Sequence, residues 1–264
     1  MLFRSVIVNP GIGDGTCEYC RAGEEPLCPR FNVLGEHRPG TFAEYVVVPA
    51  RNVRTIGSAP QLAEAGAFTL ATLTAWRMVV TRAQVAAGDH VLIWGIGGGV
   101  AIAALQICKA RGATVWVASR DGTKRDRARQ MGADETLDSN DPDLAKTIRQ
   151  RTGKRGMDVV IDNVGAATWS RSLAALGRRG RLVTCGATSG PIVETDARKL
   201  FWNQWSILGS TMGNESEFAA TAEEFAAGRL RPVVDSVHSL DQGRAAFERL
   251  ASGEQFGKVV LRVS

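Results

Sequence analysis

His90–Arg120 reads HVLIWGIGGGVAIAALQICKARGATVWVASR, and the order of residue types in it decides the fold. Val91–Trp94 is a short apolar run without alternation, the pattern of a strand covered on both faces. Gly95, Gly97, Gly98 and Gly99 follow at once. Ala101–Arg111 then sets Ile102, Leu105 and Ile107 among alanines, a helix slim enough to lie close against a sheet, and Gly112 supplies its stop. Thr114–Ser119 is a second strand. Strand, glycine turn, helix and strand in that order make one βαβ unit.

Glycine at the turn has a chemical reason. A dinucleotide pyrophosphate docks where a helix N-terminus presents free N–H groups and the positive end of its dipole, and a Cβ blocks that approach. Gly95, Gly97, Gly98, Gly99 and Val100 are therefore the candidate phosphate contacts. Val100 stands where the fingerprint has its third glycine; the glycines' position, after a strand and opening a helix, gives the motif its weight. The competing reading is a glycine turn that serves packing alone.

The choice of dinucleotide falls at the end of the second strand, where an acidic side chain holds the ribose of NAD. Ser119 and Arg120 stand there instead, with Lys124 and Arg125 close behind. Hydroxyl and cationic donors suit a 2′-phosphate, so NADP (NADPH) is the expected cofactor. Asp121, one step further on, is the competitor that would favour NAD.

A chain of 264 residues has room for one large α/β domain or two modest ones with a real core. No segment is apolar for long enough to span a bilayer, and the opening MLFRSVIVNP lacks a secretory pattern, so a cytoplasmic protein without membrane attachment is expected. The net charge of +5 comes from 32 basic residues scattered among 27 acidic ones, which argues against nucleic acid as a partner. Five cysteines, three of them crowded near the start, suggest metal rather than disulfides in that compartment.

That crowding lies in Gly13–Phe31, GDGTCEYCRAGEEPLCPRF, where two residues separate Asp14 from Cys17, two separate Cys17 from Cys20 and seven separate Cys20 from Cys28. Thiolates so spaced can close on one tetrahedral zinc and stabilise a lobe too small for a core, with Asp14 as an oxygen ligand. The alternative is three free thiols beside a surface aspartate.

Taken together, this lobe, LGEHRPGTFAEYVVVPARNV at Leu34–Val53 and the glycine-rich unit resemble the medium-chain dehydrogenase/reductase superfamily, and within it the zinc-binding dehydrogenases that group with quinone oxidoreductases. GADETLDS at Gly132–Ser139, GMDVVIDNVG at Gly156–Gly165, GRLVTCGATSG at Gly180–Gly190, LFWNQWSILGSTMG at Leu200–Gly213 and QFGKVVL at Gln255–Leu261 extend the likeness over the whole chain. The family's structural-zinc lobe has four cysteines, and here Asp14 takes the first position. The family also carries a substantial stretch ahead of this lobe that this chain lacks.

The resemblance implies an α/β protein: a Rossmann doubly wound parallel sheet over 86–213, a partial GroES-like, mostly β catalytic domain over 1–85 with its zinc lobe at 11–35, and a segment at 214–264 returning to that domain. Strands are expected at Arg4–Val8, Phe42–Pro49, Glu135–Leu137, Asp158–Asp162, Arg181–Cys185, Trp205–Gly209, Val233–Val237 and Lys258–Val263. Helices are expected at Leu62–Ala83, with Leu70, Leu73, Trp76 and Val80 on one face, and at Asp143–Arg151, Glu215–Ala227 and Asp241–Ser252. Ligands of open parallel sheets sit beyond the strands' carboxyl ends. Asn163, Val164, Gly165, Cys185, Gly186, Ala187, Thr188, Ser210, Thr211 and Met212 are therefore cofactor-side candidates, and the resemblance adds Thr74 and Trp76 beside the nicotinamide, against the competing reading of an ordinary packed helix. It also implies that the strand at Trp205–Gly209 pairs with its counterpart in a homodimer.

His37, His90 and His238 are far apart in sequence and Cys108 sits in the fingerprint helix, so a catalytic zinc is not expected. The expected activity is NADPH-dependent hydride transfer to a quinone or an α,β-unsaturated carbonyl, an acceptor electrophilic enough to need orientation more than side-chain chemistry. No residue is singled out as a proton donor. Two other readings stand: a non-catalytic NADPH-binding remnant or sensor, and a zinc-dependent alcohol dehydrogenase.

Overall fold

The structure, a computed structural model, describes residues 5–57 and 62–263. It divides into two compact units, Met1–Thr74 with Thr211–Ser264, and Ala75–Ser210.

The first unit opens with β1 (Val6–Val8), β2 (Gly11–Ile12), α1 (Glu18–Arg21), β3 (Asn32–Val33) and β4 (Val53–Thr55). β1 pairs antiparallel with β4 and β2 with β3. Asn52, buried, stitches the connection by donating from Nδ2 to the carbonyls of Asn9 and Gly11 at 2.9 and 2.7 Å. The strand expected from Arg4 starts at Val6, and Arg4 itself lies outside the described residues.

Phe42–Pro49 corrects the sequence reading, because no strand forms there. Phe42, Tyr45 and Val47 are 62, 89 and 94% exposed. A strand is held by the hydrogen-bond ladder of a neighbour, and among the described residues none runs beside this segment.

α2 (Leu62–Trp76) is also shorter than expected: Arg77–Arg82 widens into a π turn, where the Ala83 N–H reaches back five residues to the Met78 carbonyl. Leu73 is fully buried, whereas Leu70 is 40% exposed, so the apolar stripe read from the sequence is only partly a core face.

The second unit is the doubly wound domain. β5 (His90–Trp94), α3 (Gly99–Ala110), β6 (Thr114–Ser119), α4 (Gly122–Gln130), β7 (Glu135–Asp138), α5 (Leu144–Arg151), β8 (Met157–Asp162), α6 (Trp169–Ala175), β9 (Leu176–Thr184), α7 (Ala197–Asn203) and β10 (Ser206–Gly209) alternate along the chain. Their sheet is parallel throughout, in the order β10-β9-β8-β5-β6-β7. Val91, Leu92 and Ile93 are wholly buried, as a central strand with helices on both faces requires. One face packs Leu92, Trp94 and Trp116 with Leu144 and Ile148 of α5 and Leu173 of α6.

β9 begins at Leu176, five residues before the expected start. Leu176 pairs with Met157 and the ladder resumes at Arg181 opposite Val159, so the polar Gly177-Arg178-Arg179-Gly180 between them is a bulge; a Cβ on Gly177 would lie 2.5 Å from the Arg155 carbonyl oxygen. The first unit closes with α8 (Glu215–Ala226), β11 (Val234–Ser239), α9 (Gly243–Ala251) and β12 (Lys258–Arg262), the two strands pairing in parallel. The helix expected from Asp241 opens instead as a 3-10 turn, Leu240–Gln242. Asn214 Nδ2 donates to the Gly23 carbonyl at 2.8 Å, and Arg54 pairs with Glu215 at 3.0 Å, which ties the chain's two ends together within this unit.

Candidate functional site

The sheet order reverses between β5 and β8, the switch point where a crevice opens beyond the strands' carboxyl ends. The residues bordering it are Gly95–Gly98 after β5 and Asn163–Gly165 after β8. Gly95 (φ +71°) and Gly97 (φ +127°) hold conformations that favour glycine. Gly98 differs: its φ and ψ of −86° and 151° suit any residue, and among the described residues a Cβ there would meet only the Gly95 carbonyl oxygen, at an ordinary 3.6 Å. Nothing among the described residues calls for glycine at this position.

Gly98 is also the N-cap of α3 and gives the helix no side-chain cap. The opening turn at Gly99 and Val100 therefore keeps its N–H groups available to an anion. The cradle fits the pyrophosphate of a dinucleotide.

Asp162, at the end of β8 and fully buried, organises the opposite wall. Its carboxylate accepts the N–H groups of Val164 and Gly165 at 2.9 and 3.2 Å, the Thr168 hydroxyl at 2.9 Å and the Ser172 hydroxyl at 2.6 Å. The loop after β9 is fastened to this one. Ser189 donates from both N–H and hydroxyl to the Val164 carbonyl, and a Cβ on Gly165 (φ +90°) would come within 2.7 Å of the Gly190 carbonyl oxygen. A Cβ on Gly186 would stand 3.3 Å from the Asn163 carbonyl oxygen, so Asn163, Val164 and Gly186 adjoin.

Cys185 precedes Gly186, and burial, with the Asp162 charge nearby, pushes its thiol up to about 11. Thr188 is exposed and reaches the Asn163 carbonyl at 3.4 Å. Ser210 follows β10, tied by its N–H to the Thr184 carbonyl at 2.8 Å, while its buried hydroxyl has no hydrogen-bond partner among the described residues. Thr211 is exposed and Met212 buried, with Met212 Sδ 3.9 Å from the Thr74 hydroxyl. That hydroxyl already donates to the Leu70 carbonyl at 2.8 Å; Trp76 is half-buried.

At the end of β6, Ser119 is buried, with its hydroxyl accepting the Asp121 N–H at 3.2 Å, and Arg120 is exposed. Asp121 caps α4 by accepting the Lys124 N–H. Arg125 is committed to the strand, donating to the Ser119 carbonyl at 2.6 Å and standing 3.8 Å from Asp138. Of the basic residues singled out here, Arg120 is the exposed one.

In the first unit, one ligand atom from each of Asp14, Cys17, Cys20 and Cys28 lies within 4.8 Å of every other. Zinc–thiolate bonds of 2.3 Å at tetrahedral angles put ligand atoms roughly 3.8 Å apart, so this set fits a zinc ion. Cys17 caps α1, and glycine at position 13 admits Cys20, whose Sγ would lie 2.8 Å from a Cβ there. N–H groups of Asp14 and Arg30 point at Cys28 Sγ, both at 3.4 Å. Burial opposes ionisation of Cys28, yet those N–H groups and the neighbouring thiols lower its pKa, while burial pushes Cys20 up to about 12. The N–H groups of Thr16 and Cys17, with the Arg30 guanidinium, hold the Asp14 carboxyl well below the usual carboxylate range. Arg30 escaped the sequence reading; its only signal was a cation two places after Cys28.

No helix among the described residues is long and apolar enough to cross a membrane. Residues 99–227 match the zinc-binding dehydrogenase family and residues 4–58 the alcohol dehydrogenase GroES-like domain. An NAD-dependent alcohol dehydrogenase of Sulfolobus acidocaldarius is 32% identical over 98% of this chain and 75% of its own length. The crystal structure of an NAD-dependent alcohol dehydrogenase superposes with a TM-score of 0.95 at 41% identity, over 99% of this chain and 76% of that one. A 2-octenoyl-CoA carboxylase reductase, solved with NADP and 2-octenoyl-CoA, gives 0.90 at 30% identity, over 98% of this chain and 62% of its own.

Proposed function

Because the chain belongs to the zinc-binding dehydrogenases of the medium-chain dehydrogenase/reductase superfamily, we propose that it is an NADPH-dependent oxidoreductase that delivers hydride to a quinone or an α,β-unsaturated carbonyl. The observation that carries nucleotide binding is Gly98, a glycine in an ordinary conformation with room for a Cβ, at an uncapped helix N-terminus. Its absent side chain leaves space for phosphate oxygens.

When bound, the nicotinamide supplies the hydride. The chain's own residues bind and orient. Gly95–Val100 take the pyrophosphate, Arg120 and Ser119 take the 2′-phosphate with Lys124 beside them, and Asn163, Val164, Cys185 and Gly186 border the nicotinamide ribose, with Ser210, Thr211 and Met212 as further cofactor contacts. The Ser210 hydroxyl, without a partner among the described residues, supports that assignment, since a buried polar atom ordinarily has one. The relative solved with NADP and an enoyl thioester supports both the cofactor and the acceptor class.

A second reading, NAD-dependent alcohol oxidation, is favoured by the names of the relatives at 32 and 41% identity. Asp14, Cys17, Cys20 and Cys28 would hold a structural zinc under either reading. The position of β10 at the sheet edge supports pairing with a second copy to form a homodimer, and so does the exposure of Phe201 and Trp202 in the preceding helix α7.

The test is steady-state oxidation of NADPH and NADH by the purified chain against quinones and enones, with alcohols assayed in reverse. Turnover of enone or quinone with NADPH preferred supports the first reading. Alcohol oxidation with NAD, abolished by a chelator, supports the second.

A further inference from the structure

We propose that Arg30 is a positioning residue for the metal centre, the side chain that lets a carboxylate serve as its fourth ligand. The guanidinium grips Asp14 with two hydrogen bonds to the same oxygen, Nε at 2.9 Å and Nη2 at 2.7 Å. The other oxygen is fixed by the N–H groups of Thr16 and Cys17 at 2.6 and 2.9 Å. The carboxylate therefore stands immobilised beside the three thiols, all ligand atoms within 4.8 Å. The Arg30 backbone N–H meanwhile points at Cys28 Sγ at 3.4 Å. One residue thus touches the first and the last members of the ligand set.

A carboxylate needs such a partner where a thiolate does not. It has two oxygens that can rotate onto or away from a metal, and ligating carboxylates are ordinarily held by hydrogen bonds from outside the coordination sphere. Three thiolates and a carboxylate around a divalent ion also carry two net negative charges, and Arg30 offsets one. Its planar fork matters as much as its charge, since lysine cannot hold an oxygen at two points. Arg30 is 71% exposed, and an exposed ion pair contributes little to folding. Its effect belongs to the metal.

The experiment reads zinc retention, so it stands apart from the proposed reaction. The full chain is loaded with Zn²⁺ and titrated with a chromophoric chelator, and Co²⁺ spectra of the same variants report the thiolates. Arg30→Ala should lose roughly 10–100-fold in zinc affinity with the melting temperature of the metal-free chain unchanged, and Arg30→Lys should recover only part of that. Asp14→Cys should bind zinc at least as tightly as the parent, and adding Arg30→Ala to it should cost nothing further. Three results would overturn the proposal: an Arg30→Ala affinity equal to the parent's, an equal loss in the Asp14→Cys background, or a parent chain that takes up no zinc while Asp14→Cys does.

Discussion

The amide oxygen of Asn163 lies 3.3 Å from the point where a Cβ on Gly95 would stand, so the turn after β5 and the end of β8 touch where the order of the sheet reverses. The two turn glycines should therefore fail in different ways. Gly95→Ala forces a left-handed conformation at φ +71° and presses on Asn163, costing about 1–2 kcal/mol of stability as well as nucleotide affinity. Gly98→Val should cost about 1 kcal/mol through a poorer helix cap, while nucleotide affinity falls by far more. Melting curves and fluorescence titration with NADPH separate the two. Unchanged affinity in Gly98→Val would remove the proposed phosphate approach.

Arg120 is exposed at the end of β6, while Arg125 is tied to the strand. Arg120→Ala should weaken NADPH roughly ten- to a hundredfold, the worth of a charged hydrogen bond to phosphate, and leave NADH nearly untouched. Dissociation constants for both nucleotides check this. Equal losses would put the 2′-phosphate elsewhere.

Asp162 satisfies two backbone N–H groups and two hydroxyls out of reach of solvent. Asp162→Ala strands all of them and should destabilise the chain by about 2–4 kcal/mol, read as a lower urea midpoint. Thr168→Val removes a single donor and should cost less than half as much.

The Cys185 thiol, raised to about 11 by burial and the Asp162 charge, is neutral across the physiological range. The thiolate is the nucleophile, so at pH 8 only about one thiol in a thousand is reactive. Alkylation of Cys185, followed by peptide mass spectrometry, should rise about tenfold per pH unit from 7 to 10 without a plateau. A plateau near pH 8.5 would mean an ordinary exposed thiol.

The doubly wound domain was legible because continuous apolar runs such as Val91–Trp94 and punctuating glycines carry the pattern locally. Phe42–Pro49 was not, because its aromatic and β-branched residues say what a strand would look like and nothing about whether a neighbour is there to bond it. The late expected start of β9 has a similar cause: residues 177–180 look like a loop and do bulge out of the ladder, and nothing in the chain says that Leu176 ahead of them pairs with Met157. At the site, the order of residues pointed to the loops that border the crevice. The Asp162 network and the Arg30 grip on Asp14 escaped notice, because hydrogen bonds between side chains brought together by folding leave no spacing rule in the chain.

The first unit is built from both ends of the polypeptide. Gly23 and Asn214, joined by one hydrogen bond, are 191 residues apart. On the ribosome the thiol lobe emerges before its Asn214 partner, which appears only after the entire doubly wound domain has been made. That domain is continuous and complete in itself, so it has the means to fold first, with β5 waiting for β8 to arrive from 68 residues downstream. The cysteines must spend that interval without the second half of their unit. A metal ion, if taken up there, would be held within fifteen residues of chain, a closure that does not have to wait for translation to finish.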